Sequence, residues 1–175
     1  YLVRSRGLGD VYKRQAHDFL WRVEKRVPEP GFIGVFDRSH YEDVLIGRVR
    51  HLADDAEIER RYGAINAFEK GLVDRGIRIV KVMLHISSDE QKARLAERLD
   101  RPDKYWKYNP ADVDERALWP QYMDAYQTVF DRTSTPDAPW FVVPADRKWY
   151  ARLAVQALLL DALEDIDPQL SLIHI

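Results

Sequence analysis

The stretch GFIGVFDRSHYED, residues 31–43, decides the fold. Its apolar first half predicts a buried strand, and the capping box formed by Ser39 and Glu42 predicts that a helix follows. Asp37 and Arg38 therefore lie at the carboxyl end of a strand, where open α/β sheets bind their ligands. A carboxylate there suits Mg²⁺ held beside phosphates, and a guanidinium group suits the phosphates themselves. A purely structural role for Asp37, at the start of the helix, stays open from these residues alone.

The rest of the chain alternates apolar β-branched runs with helical periodicity. We expect strands at 31–36, 77–86 and 138–143, and helices at 17–27, 39–52, 58–75, 88–100, 119–130 and 147–165. Ser88 and Gln91 predict a cap for the fourth of these helices, and Pro120 predicts a kink or a fresh start in the fifth. Such alternation predicts an α/β fold in three layers, a parallel sheet flanked by helices on both faces.

Composition excludes several classes of protein. The chain has 175 residues, which fits one domain, and 32% of them are charged. There is no cysteine, which excludes disulfides and thiolate metal sites, and the five histidines lack metal-binding spacing. The longest apolar stretch is too short to span a membrane, and a net charge of −2 argues against non-specific nucleic-acid binding. We expect a cytoplasmic protein that binds neither membranes nor nucleic acid.

Residues 92–107 form a basic segment, with six basic and three acidic side chains. Arg94 and Arg98 are four residues apart and therefore project from one face of the predicted helix. Such a segment could be a lid whose cations close on a phosphate chain and stabilise developing charge. A solvated helix with Arg–Glu pairs remains the alternative. The aromatic side chain of Trp106 could stack on a base, although packing is the commoner role.

Further candidates lie near the ends of the predicted strands. Asp146 and Lys148 follow the last strand, where they could approach a nucleotide, but Asp146 could equally be the N-cap of the last helix. Glu42 completes the capping box and is also close enough to Asp37 to contact a ribose or a bound water.

Three stretches together resemble the polyphosphate kinase 2 family: HDFLWRVEKRVPEPGFIGVFDRSHYEDVL (17–45), SSDEQKARLAERLDRPDKYWKYNPADVDERALWPQYMDAY (87–126) and TSTPDAPWFVVPADRKWYARLAVQALLLDALE (133–164). The resemblance implies a P-loop kinase fold of the thymidylate-kinase-like kind. It also implies Mg²⁺-dependent phosphoryl transfer between inorganic polyphosphate and nucleotides of the AMP/ADP or GMP/GDP type, in a chain that often self-associates. Asp37 matches the family's Walker B acid, and residues 88–110 match its lid. The candidate catalytic residues are then Asp37, Arg38, Arg94 and Arg98, and the candidate phosphate or nucleotide ligands are Lys92, Lys104, Lys107, Glu42, Asp146 and Lys148.

The sequence departs from the family at its amino-terminal end. It contains no G-x-x-x-x-G-K-[ST] loop, which the family carries upstream of the position of His17. We interpret residues 1–15 and 170–175 as non-native, residues 16–169 as a partial family domain, and the fold as incomplete. We expect the chain alone to be inactive, because the loop supplies phosphate-binding amides and a lysine. The alternatives are a non-catalytic phosphate- or nucleotide-binding fragment and an ATP-dependent nucleotide kinase.

Overall fold

The structure, a computed structural model, describes residues 2–4 and 18–169. Its strands are β1 Leu2–Arg4, β2 Val35–Asp37, β3 Lys81–His85 and β4 Trp140–Pro144. Its helices are α1 Trp21–Glu24, α2 Glu42–Val49, α3 Asp55–Val73, α4 Ser88–Asp100, α5 Ala111–Ala117, α6 Trp119–Thr133 and α7 Lys148–Ile166, with a 3₁₀ helix at Pro102–Lys107 between α4 and α5. Within the described ranges, none of these helices has the length and apolar character needed to cross a membrane.

The chain divides into two compact units. The first takes the chain up to Gly71 together with Pro120–Thr133, and the second takes Leu72–Trp119 together with the chain from Ser134 onward. Each unit holds one parallel two-stranded ladder, β1 with β2 in the first and β3 with β4 in the second. The parallel strands and the helices between them confirm the predicted α/β class.

In the first unit, β2 pairs with β1, which lies in the segment that we interpret as non-native. Leu2 lies opposite Val35 and Arg4 lies opposite Asp37 in a parallel register. The core of this unit comes from the apolar faces of α2, α3 and α6, and its buried side chains include Val44, Ile58, Tyr62, Ile65 and Val129. Ile58, Tyr62 and Ile65 recur at intervals of four and three along α3, as an amphipathic helix requires.

In the second unit, β3 and β4 run in register from Lys81 opposite Trp140 to His85 opposite Pro144. A small core of Val143, Ala145 and Ala151 joins the end of β4 to the first turn of α7. This packing fixes the carboxyl ends of both strands against α7, and the loops that leave those ends carry several of the predicted site residues.

Several local predictions are wrong in detail. The strand expected at 31–36 is shorter and begins at Val35, because Gly31 adopts φ +84° and the Phe32 amide donates to the Glu29 carbonyl in a turn. Phe32 and Val35 are exposed rather than buried, and Asp37 is the last residue of the strand. The helix expected at 17–27 covers only Trp21–Glu24, and His17 lies outside the described residues.

The predicted helix caps also shift. Ser87 caps α4 instead of Ser88, since its hydroxyl accepts the Glu90 amide at 3.1 Å. Tyr41 is the N-cap of α2 and makes no side-chain cap bond, so the capping box at Ser39 is wrong. Pro120 lies in the first turn of a new helix, because α6 begins at Trp119. The N–H groups of a first turn have no intrahelical partner, so the missing N–H of proline is tolerated there.

Candidate functional site

The turn after β2 holds the two residues on which the sequence prediction depends. Asp37 ends β2 and is exposed, and Arg38 follows with φ +66°, in the left-handed region. That conformation costs a residue with a Cβ about 1–2 kcal/mol, so the surrounding structure must impose it. The Arg38 Nε atom lies 3.4 Å from Oε1 of Glu42, the residue predicted to lie near Asp37. This exposed pair stabilises the fold little, by about 0–1 kcal/mol, and leaves both groups able to change partners.

Tyr126 on α6 is a further group beside this turn. Burial raises the pKa of the Tyr126 hydroxyl, the negative charge of Glu42 raises it further, and Arg38 opposes both effects. The hydroxyl therefore stays protonated at neutral pH, and the charges of the Arg38–Glu42 pair influence it. Tyr126 lies within the helix predicted at 119–130, and no pattern in the sequence marks it as a site residue.

Asp146 binds a backbone amide and is not a helix cap. Its Oδ1 atom accepts the Ser87 N–H at 2.7 Å, across the ends of β4 and β3. This hydrogen bond is the main reason that the pKa of Asp146 lies below its ordinary value, and the charge of Arg94 adds to the effect. The N-cap of α7 is Arg147, which makes no side-chain cap bond.

Arg94 joins two parts of the second unit, helix α4 and the loop that follows β4. Its Nη2 atom donates to the carbonyl oxygens of Ala145 at 2.7 Å and Asp146 at 3.2 Å, and its Nε atom donates to Glu90 at 2.7 Å. We call this arrangement, Arg94 with the Ala145 and Asp146 carbonyls, the Arg94 clamp. The guanidinium group predicted to be catalytic thus fastens α4 to the end of β4, and its side chain is 30% exposed.

A cavity of about 560 Å³ opens next to the clamp. Its lining includes the apolar side chains of Leu84, Ile86 and Ala151. It also includes two cations of α7, Lys148 and Arg152. The two cations are four residues apart on that helix and so share a face. The volume and the mixture of apolar surface with a few cations fit a small anionic ligand. Lys148 was predicted from the sequence, whereas Arg152 was missed because a single arginine in an amphipathic helix carries no signal.

The predicted lid is ordered by its own ion pairs. Arg98 donates to Asp112 at 2.6 Å and to the Lys107 carbonyl at 3.3 Å, which ties the 3₁₀ helix to α4 and α5. Lys104 lies 2.6 Å from Glu97 and lowers the pKa of that carboxyl, with a smaller contribution from Arg101. Arg98 and Lys104, two of the cations predicted to contact phosphates, thus already have carboxylate partners. The Arg–Glu pairs of the solvated-helix alternative are also present, as Arg94–Glu90 and Arg101–Glu97.

The tip of the lid presents an aromatic ring. Trp106 is 78% exposed, yet its indole N–H donates to the Asp103 carbonyl at 3.0 Å, which fixes the orientation of the ring. The ammonium group of Lys107 lies 4.9 Å from the ring centroid, in a cation–π contact. Lys92 is exposed on α4.

Arg116 on α5 is another residue that the sequence did not reveal. It donates to the Ser88 carbonyl at 2.6 Å, to the Ser88 hydroxyl at 3.0 Å and to Gln91 at 3.1 Å. The first turn of α4 is thereby held against α5, which helps to shape the lid. Nothing in the local sequence predicts a contact across 28 residues.

The carboxylates of the described residues fit a cation held together with phosphates. No group of three or more His, Cys, Asp or Glu side chains in residues 18–169 is placed to enclose a metal ion. Mg²⁺ at phosphate sites keeps several waters and commonly takes one or two protein carboxylates, with phosphate oxygens completing its octahedron. Asp37, exposed at the end of β2, satisfies that requirement.

Comparison with known proteins supports the resemblance. The family described as Polyphosphate kinase 2 (PPK2) matches residues 11–171. An AMP/ADP-polyphosphate phosphotransferase of Meiothermus ruber is 46% identical over 154 residues, which are 88% of this chain and 58% of that protein. An ADP-polyphosphate phosphotransferase of Rhodopseudomonas palustris is 44% identical over 162 residues, which are 86% of this chain and 56% of that protein. The chain therefore spans just over half the length of these curated relatives.

A solved structure agrees with the sequence matches. The crystal structure of polyphosphate kinase 2 from Arthrobacter aurescens superposes with a TM-score of 0.94 at 57% identity, covering 99% of this chain and 61% of that one. The chain belongs to the polyphosphate kinase 2 family.

Proposed function

We propose that the whole protein to which this chain contributes transfers phosphoryl groups between inorganic polyphosphate and a nucleoside mono- or diphosphate, with Mg²⁺. Family membership and the names of the M. ruber and R. palustris relatives support polyphosphate and adenine nucleotides as substrates. Guanine nucleotides are a further proposal. The observation that carries the proposal is the exposed Asp37–Arg38 turn at the end of β2, held in a left-handed conformation.

In this proposal Asp37 holds Mg²⁺ and Arg38 pairs with a phosphate. Bound Mg²⁺ would neutralise phosphate charge, which is the main requirement of phosphoryl transfer. Arg38 reaches the phosphate by leaving Glu42, a change that costs little because the pair is exposed. Tyr126 contributes a protonated hydroxyl beside the same pair, and Glu42 keeps its place in the site as a partner of Arg38.

The second unit supplies cations in two places. Arg98, Lys104 and Lys107 lie in the lid, with Lys92 exposed on α4, and we propose that they bind the polyphosphate chain. Lys148 lines the cavity beside the Arg94 clamp, and we propose that this cavity receives part of the nucleotide. Arg94 and Asp146 then act by shaping the cavity wall.

Substitution of Asp37 tests the metal role. The test uses an upstream-extended protein, in which the native sequence that precedes Ala16, with its expected glycine-rich loop and lysine, takes the place of residues 1–15, and transfer from polyphosphate to ADP is measured. We expect Asp37→Asn to lower turnover at least about 100-fold, as loss of a group that stabilises the reacting charge does. The unfolding midpoint should stay unchanged, because Asp37 is exposed.

Asp137→Asn is the matched control, since Asp137 is also exposed and lies in the loop before β4. That variant should retain full turnover. Near-normal turnover by Asp37→Asn would contradict the proposed metal ligand. The same assay with ATP in place of polyphosphate separates the proposal from an ATP-dependent nucleotide kinase, and the 175-residue chain without extension is expected to show binding but no transfer.

A further inference from the structure

A buried carboxylate lies under the residues that follow the Asp37–Arg38 turn. Glu69 on α3 is only 3% exposed. The Tyr41 hydroxyl donates to its Oε1 atom at 2.6 Å, and Nε2 of His40 lies 3.5 Å from the same oxygen. Both partners directly follow the turn in sequence, whereas Glu69 is 28 residues beyond Tyr41.

The position of Glu69 is one where an apolar side chain is expected. It lies on the buried face of α3, one turn after Ile65 and three residues before Leu72, both of which belong to the core. A buried carboxylate loses much hydration energy, and a well-packed apolar residue at such a site is often as stable or more so. General packing of α3 therefore gives no reason for a carboxylate here.

His40 is held in place by packing around its ring. It is 9% exposed, and its ring centroid lies 4.6 Å from that of Tyr41 and 5.7 Å from that of Phe68, the latter in an edge-to-face arrangement. Neither nitrogen of the ring has a hydrogen-bond partner among the described residues. The nearby Glu69 carboxylate is the polar group towards which Nε2 is turned.

The strained backbone at Arg38 needs support from both sides. On one side, Asp37 is the last residue of the short strand β2, which in this chain is paired with β1. On the other, α2 begins at Tyr41, whose amide donates to the Ser39 hydroxyl at a long 3.4 Å and whose side chain makes no cap bond, so the turn needs a stronger anchor. Glu69 supplies one, because it holds Tyr41 and lies against His40, and strained residues persist only where their surroundings leave no alternative.

We propose that Glu69 is a positioning residue, which holds Tyr41 and His40 so that the left-handed turn at Arg38 presents Asp37 and Arg38 at the end of β2. The effect on catalysis rests on the proposed function; the effect on the turn does not. Glu69 contacts neither Asp37 nor a substrate in this role and acts through the backbone of the turn.

The effect on the turn is measured by stability alone, on the 175-residue chain. Glycine adopts a left-handed conformation freely and alanine does not. We therefore expect Arg38→Gly to unfold at a higher urea concentration than Arg38→Ala. The difference between these two midpoints, the strain gap, is measured again in chains that also carry Glu69→Leu. If Glu69 imposes the conformation, the turn relaxes in that background and the strain gap falls by at least half.

Two further backgrounds keep the test decisive. Tyr41→Phe removes the other end of the same hydrogen bond and should also reduce the strain gap, which covers the case that Glu69→Leu does not fold. Tyr62→Phe is the control, because Tyr62 is equally buried on α3 and its hydroxyl has no partner among the described residues. It should leave the strain gap unchanged. Equal strain gaps in all backgrounds overturn the proposal.

Kinetics of the upstream-extended protein test the effect on catalysis. At a temperature where the variants are folded, Glu69→Leu should lower kcat at least tenfold and leave the KM for ADP within a factor of two, whereas Tyr62→Phe should change neither. An unchanged kcat in folded Glu69→Leu overturns the positioning role. If the unsubstituted protein transfers no phosphate from polyphosphate, the proposed function fails, and the strain gap still decides whether Glu69 holds the turn.

Discussion

Substitution of Arg94 distinguishes two roles for this residue. The sequence predicts that its guanidinium group binds phosphate, whereas the structure shows it donating to backbone carbonyl oxygens. Arg94→Ala removes donors from the carbonyl oxygens of Ala145 and Asp146 and from Glu90. A hydrogen bond to a charged donor contributes about 1.5–3 kcal/mol. The 3.2 Å bond to Asp146 is the weaker one, and water can reach a side chain that is 30% exposed.

We therefore expect Arg94→Ala to lower the free energy of unfolding by about 2 kcal/mol. In a chain of this size that corresponds to a decrease in Tm of roughly 4–8 °C. Urea and thermal unfolding of the 175-residue chain measure both quantities. Arg94→Lys should lose about half as much, because an ammonium group cannot reach both carbonyls in the fork geometry of arginine.

Lys92→Ala is the control on the same helix, since Lys92 is exposed, and it should change the free energy of unfolding by less than about 0.5 kcal/mol. The clamp would be refuted if Arg94→Ala unfolded at the same midpoint as Lys92→Ala. If Arg94→Ala weakened the binding of polyphosphate and left the stability unchanged, the phosphate-binding role predicted from the sequence would be favoured instead.

Two pH-dependent effects follow from carboxylates with lowered pKa values. The contribution of Asp146 to stability is complete above its ordinary pKa of 3.8 and is lost as the pH falls through the lower pKa of the folded state. In urea unfolding, Asp146→Asn should therefore destabilise the chain at about pH 6 and much less at about pH 2.5. The hydrogen bond from Arg60 lowers the pKa of Glu57 to about 2, and Arg61 contributes further. A carbon NMR titration of Glu57 should therefore give a midpoint near that value in the folded chain, and a midpoint above 4 would contradict the observed Arg60–Glu57 pairing.

The sequence predicted well what depends on neighbours in the chain. β2 ends at Asp37, one residue after the end of the predicted strand, and β4 follows the apolar run that begins at Trp140. The left-handed conformation of Arg38 was not predicted, and the ligand site at this turn stays a prediction. The same local reasoning overestimated β2, because Gly31 turns the chain and leaves Phe32 exposed.

What the sequence did not predict depends on contacts between distant residues. Asp146 and Ser87 are 59 residues apart and meet because of the register between β3 and β4, which no local pattern specifies. Glu69 looks like an ordinary polar residue of α3 until the position of Tyr41 is known. The ligand roles of the lid cations and the boundaries at residues 16 and 169 stay predictions.

The ion pairs of the lid have a consequence for selectivity. Lys104 is paired with Glu97, and Arg98 is paired with Asp112. A phosphate that binds either cation must therefore compete with a carboxylate. A single phosphate carries about the same charge as the carboxylates that it must displace. A long polyanion presents many phosphates to neighbouring cations at once, and each displacement raises the effective concentration of the next group. In the proposed polyphosphate site, we therefore expect these carboxylates to favour a chain of linked phosphates over isolated phosphate ions.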